Sequence, residues 1–175
     1  RTLARSRTAG FMRAFGDQNL TRRALLEFAQ SQARYWPDGG LNAIYPSGQG
    51  KRDIPDFTEV YPEWVWQYYL NTGDDELVAD VFPAVRAISD YVAASIDPGT
   101  GLVTNLPGGD GEYQYGIVDW PQGMRYGYDM STVARTTVNV LAVDVFDRVA
   151  RLGDALGHPQ DESNGQRGRR DALTT

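Results

Sequence analysis

The chain has 175 residues, no cysteine, and 17 Lys+Arg against 23 Asp+Glu, for a formal charge of −6 at pH 7. That charge repels phosphate backbones and anionic membranes, so neither nucleic acid nor a membrane is expected as a partner. Without thiols there is no disulfide framework, no thiolate metal site and no cysteine nucleophile. No apolar run reaches membrane-spanning length and "RTLARSRTAG" lacks the apolar core of a signal peptide, so a soluble chain is expected, in a compartment left open.

Apolar periodicity predicts five helices and the start of a sixth. The first covers about Leu3 to Phe15, with Gly16 as its C-terminal cap. Asp17 or Asn19 can cap the second, Leu20 to Arg34, which is amphipathic through Leu25, Phe28 and Ala29. The third, Thr58 to Thr72, contains "EWVWQYYL" and is apolar nearly all round, as a buried helix is. Pro62 is tolerated only in a first turn, which sets the start near Thr58 or later. Gly73 ends this helix and Asp74 caps the fourth, Asp75 to Ser95, whose Val78, Val81, Phe82, Val85, Ile88 and Val92 recur at spacings of three and four. The fifth, Ser131 to Leu156, spreads valines over more than one face and reads as mostly buried. Gly157 caps it, and "HPQDESNGQ" leads to a sixth that opens at "GRRDALTT".

Odd helices tend toward burial and even ones are one-sided, the pattern of an inner ring wrapped by an outer ring. The third and fifth should therefore be more buried than the second and fourth. Short turns, "AFGDQNL", "NTGDDEL" and "ALGHPQDES", join odd helices to even ones; the even-to-odd connections are long. If neighbouring helices run antiparallel, all long loops emerge on one face. The fold class expected is all-α: part of an (α/α)6 toroid or barrel, about three helical hairpins with long loops on one face. A chain that opens without methionine and stops in helix-like residues reads as a fragment, residues 1–175, of a larger domain.

Long ordered loops are uncommon unless functional. The first holds Trp36, Tyr45, Asp53 and Asp56; the second, including "GIVDWPQGMRYGYDM", holds Tyr115, Asp119, Trp120, Tyr126, Tyr128 and Asp129. Aromatics with carboxylates suit a sugar, whose C–H faces stack on indole or phenol while its hydroxyls donate to carboxylate oxygens.

The order of "DGGLNAIYPS", "IPDFTEVYPEWVWQYYLNTGDDEL" and "IVDWP" resembles the catalytic barrel of bacterial α-L-rhamnosidases, six-hairpin glycoside hydrolases, over about Trp36 to Gly157. The resemblance implies inverting hydrolysis in an (α/α)6 barrel, one glutamic acid protonating the glycosidic oxygen and another activating water. Its acid lies before the matched region and its base well after, so the catalytic pair is expected outside this chain. It implies a terminal α-L-rhamnoside as substrate, the remainder of the barrel as partner, and no cofactor or metal. The fragment alone should be inactive. Another six-hairpin glycosidase and a non-catalytic carbohydrate-binding toroid are the alternatives.

Asp119 and Trp120 are the foremost substrate-binding candidates, with Asp56, Tyr115 and Tyr128 beside them. Asp56 could equally cap the third helix, and Glu59 and Glu63 read as charges favouring its first turn. Trp64, Trp66, Tyr68 and Tyr69 read as core. His158, the only histidine, reads as a solvated turn residue that supports neither a triad nor a metal site. "PGGDGEYQYG" lacks the Lys-Ser/Thr of a phosphate loop. Arg167, Arg169 and Arg170 read as a solvated face.

Overall fold

The computed structural model describes residues 18–46, 54–104, 106 and 133–175. The described residues form α1 (Asn19–Tyr35), α2 (Pro55–Thr72), α3 (Asp75–Ala94), α4 (Thr136–Ala155) and α5 (Gln160–Ala172). Beyond one isolated antiparallel bridge, Ile96 to Val103, they contain no strand. The first predicted helix lies outside the described residues; α1 to α5 correspond to the second through sixth.

Two hairpins are closed by the expected chemistry. Gly73 ends α2 at φ 64°, in the left-handed region open to glycine, and its N–H bonds to the Tyr69 carbonyl. Asp74 then caps α3 by accepting from the Leu77 N–H at 3.0 Å. The turn from α4 to α5 repeats the device. Gly157 has φ 73°, and the His158 N–H reaches back to the Gly153 carbonyl at 2.9 Å.

The hairpins lie in parallel, as the side-chain register shows. Between α2 and α4, Glu63 pairs with Arg148 and the Arg151 guanidinium lies 6.0 Å from the Trp66 ring, so both contacts advance together along the two helices. In the same way Arg22 meets Asp74 at 3.2 Å and Gln32 donates to the Ala84 carbonyl at 3.1 Å, aligning α1 with α3. Arg86–Glu162 and Arg169–Asp90, each at 3.4 Å, align α3 with α5. Thus α2 and α4 form one layer, and α1, α3 and α5 the other. The N-terminal ends of α2 and α4, to which both long connections lead, share one end of the layer; the two short turns occupy the other.

The layering holds, but the burial expectation holds only against the second helix, α1, with four buried residues of seventeen, and fails against the fourth. α3 buries ten of its twenty residues and α2 nine of eighteen, so the predicted third helix is no more buried than the fourth. α3 touches all four other helices or their side chains, and its Leu77, Val81, Val85, Ile88 and Val92 stripe is the centre of the core. α4, expected to be apolar over more than one face and mostly buried, instead buries eight of its twenty residues, chiefly the stripe Val138, Ala142, Val145, Phe146, Val149 and Leu152, and leaves Val140 exposed.

Boundaries also differ: α4 starts at Thr136 rather than Ser131. α2 starts at Pro55, so Pro62 sits inside the helix, where it removes one intrahelical donor but leaves the axis continuous. α5 starts at Gln160, and most of the segment read as a linker is helical. On α1, Asn19 is the first helical residue rather than the cap, Gln18 holds the cap position without a side-chain bond, and Asp17 lies outside the described residues.

Candidate functional site

The first long connection is packed rather than open at Trp36 and from Gly39 to Ala43. Trp36 is buried and its Nε1 donates to Asn42 Oδ1 at 2.7 Å, so it is a core residue, not a stacking wall. The Asn42 N–H reaches Ser31 Oγ at 3.3 Å, and the Leu41 N–H reaches Thr58 Oγ1 at 3.0 Å, tying the connection to α1 and α2. Gly39, at φ 108°, sits where a Cβ would meet the Ala87 carbonyl oxygen at 2.3 Å. The "DGG" of the connection is therefore a backbone-to-backbone contact with α3 that only glycine allows. Tyr45 lies against Tyr35, ring centroids 6.4 Å apart.

This packing delivers the chain to α2 with three carboxylates on one face. Asp56, Glu59 and Glu63 are spaced as one helical stripe and are 9%, 1% and 3% exposed. Asp56 is in the first turn but is not the cap, which is Ile54, without a side-chain bond. Its charge sits where the helix dipole favours it, at the end to which both long connections lead. Glu59 and Glu63 are the correction. Because α2 starts at Pro55 they lie beyond the first turn and are buried, so they do not act there as the sequence suggested.

Glu63 forms an ion pair with Arg148 of α4 and accepts from Gln67 Nε2 at 3.0 Å. Arg148 also meets Asp147 at 2.5 Å, and Asp147 accepts from Arg151 at 2.7 Å and from Arg170 at 2.9 Å. Burial pushes the Asp147 carboxyl up, but the bonds from Arg151 and Arg170 and the charges of Arg151 and Arg148 outweigh it and hold the group below the ordinary Asp value. Arg170, like Arg167 on Asp154 and Arg169 on Asp90, thus pairs with neighbouring helices rather than forming a solvated face. Glu63 is an anchor between two helices, its buried carboxylate held by the Arg148 guanidinium and the Gln67 amide.

Of the substrate-binding candidates, only Asp56 is in view. Tyr115, Asp119, Trp120 and Tyr128, with Asp53, lie outside the described residues. The aromatic residues of α2 divide. Tyr68 is core, Trp64 makes an edge contact with Phe28 at 5.9 Å, and Trp66 and Tyr69 are only partly covered. Among the described residues no three His, Cys, Asp or Glu side chains converge as metal ligands, and no helix is long and apolar enough to cross a membrane. Sequence reasoning missed the buried placement of Glu59 and Glu63; their i, i+4 spacing on a helix already set to be internal was the available signal.

Of this buried acidic stripe, Asp56 is the member that lies where the long connections arrive, while Glu63 is taken up by Arg148. No curated protein and no solved structure matches the chain. A family model described as the bacterial alpha-L-rhamnosidase 6 hairpin glycosidase domain matches residues 4–173. With that match spanning nearly its whole length and its parallel helical hairpins fitting the architecture, the chain belongs to the bacterial alpha-L-rhamnosidase six-hairpin glycosidase family.

Proposed function

We propose that this chain is part of the catalytic domain of an inverting α-L-rhamnosidase and supplies the sugar-binding side of its pocket. The family match over residues 4–173 carries the reading. The common end shared by the long connections and Asp56 supports it. In the proposed site Trp120 offers a stacking wall and Asp119 and Asp56 accept sugar hydroxyls, with the phenols of Tyr115 and Tyr128 along the rim. Hydrolysis with inversion needs an acid to protonate the leaving oxygen and a base to activate water across the ring, carboxyls roughly 6.5–9.5 Å apart. We assign neither role to these residues; the pair comes from the remainder of the barrel, so this chain alone is inactive.

The test is hydrolysis of an aryl α-L-rhamnoside by the protein carrying the complete barrel, with the anomer formed first read by proton NMR. Release of the β-anomer supports the reading, and a retained α-anomer overturns inversion. Turnover of a different aryl glycoside in its place makes this another six-hairpin hydrolase, and saccharide binding without turnover makes it a binding toroid. Turnover by the 175-residue chain itself would overturn the placement of the acid and base elsewhere.

A further inference from the structure

A cleft of about 240 Å³ opens between α3, α4 and α5, beside the short turn that joins the last two. It is remote from the proposed pocket: Gly153 on its floor is seventeen residues along α4 from Thr136, about 25 Å at the helical rise. Its floor is closed from beneath by the core residues Phe82 and Val149, only 5% and 2% exposed, and by Gly153, where a Cβ would come to 3.5 Å of the Phe82 ring. His158 extends it: its imidazole lies 4.6 Å from the Phe82 ring centre, tilted by 45°. The rim carries donors and acceptors together. Arg86 faces Glu162 and Arg169 faces Asp90, both at 3.4 Å, and all four side chains are between 40% and 64% exposed. Exposed pairs at that separation are worth little, so these groups can turn toward a ligand at small cost.

Charge and size select the ligand class. Two arginines stand against Asp90, Asp161 and Glu162, which disfavours an anion. A metal ion is disfavoured because no three candidate ligands converge among the described residues. A neutral polyhydroxy ring matches both surfaces, its C–H face on the 33%-exposed His158 ring and its hydroxyls against the rim. The volume is many times the ~10–15 Å³ that admits one water, and is sized for one ring rather than a chain.

We propose that this cleft is a second saccharide site, non-catalytic, that binds a neutral monosaccharide ring on the layer away from the pocket. The proposal stands whether or not the barrel hydrolyses rhamnosides. The experiment titrates the full-length protein with L-rhamnose and follows the amide resonances of Gly153, His158 and Gln166 by NMR, with inorganic phosphate as the counter-probe. Saturable shifts at these amides are expected with the sugar and not with phosphate. In Arg86→Ala/Arg169→Ala, whose altered side chains are half-exposed and leave the fold intact, the affinity read there should fall about tenfold or more. His158→Ala should weaken it through loss of the ring, while kcat/KM at the proposed pocket stays unchanged in both variants. Shifts produced by phosphate alone would make this an anion site. No sugar shifts at these amides, or an affinity unaltered in the double variant, would likewise overturn it.

Discussion

Asp74 shows how much one side chain can hold. It caps α3, accepts from the buried Tyr68 hydroxyl at 2.7 Å and meets Arg22 of α1 at 3.2 Å. The Leu77 N–H, with Tyr68 and Arg22, holds its carboxyl below the ordinary value of 3.8 despite partial burial. Asp74→Ala removes the cap and strands a buried hydroxyl, so we expect a loss of about 2–4 kcal/mol by urea denaturation. Asp74→Asn, which keeps a cap, should lose less. Asp74, Asp97 and Asp147 are all depressed in the folded chain. The unfolded chain therefore takes up protons first, and stability present above 3.8 is lost as pH falls through the lower folded values. Tyr68 has the opposite sign. Burial, then Asp74, push it up to about 12, so the unfolded phenol ionises first and stability falls as pH rises above 10.0. Urea midpoints across pH should form a plateau with an edge at each end; a midpoint insensitive to acid would remove Asp74 from the account. For activity, Asp119→Ala and Asp56→Ala in the complete enzyme each should lower kcat/KM by about tenfold to a hundredfold. If melting falls while kcat/KM holds, those carboxylates are structural.

Elements respond according to which neighbour they meet. Arg148 joins α2 to α4 and, through Asp147, to α5; replacing it with Met leaves the 3%-exposed Glu63 without that cation, and we expect a loss of about 3–5 kcal/mol. α5 offers the reverse case. Gly168 is helical and exposed, and a Cβ added there would meet nothing within 4 Å, so Gly168→Ala should add about 0.5–1 kcal/mol and raise Tm by ~2–4 °C in calorimetry. The same elements show what sequence could and could not disclose. Helix centres were legible from apolar spacing, and the Gly73–Asp74 turn from its residue types. The start of α2 was hidden because Pro62 is accommodated mid-helix, and that shift moved Glu59 and Glu63 out of the first turn. α5 was hidden because its polar, glycine-bearing segment docks on α4 through the buried Ser163 and the Arg170–Asp147 and Arg167–Asp154 pairs rather than through an apolar stripe. The Glu63–Arg148 pair joins residues far apart in the chain and has no local signature. Of the proposed site, Asp56 was legible as an acid arriving on a long connection; its burial was not.

At the scale of the molecule, parallel hairpins divide the two ends by tolerance to change. The register of α1 with α3 and of α2 with α4 is held along the helices by Arg22–Asp74, Gln32–Ala84, Glu63–Arg148 and Trp66–Arg151, not by the length of the connections. Residues can therefore be added to the second long connection without disturbing either layer. One residue inserted into α3 between Asp74 and Ala84 rotates everything beyond it by about 100° and turns the Val85, Ile88 and Val92 stripe away from the core. The architecture thus leaves room for length variation at the end that bears the proposed pocket, where specificity can diversify by insertion without shifting the helices.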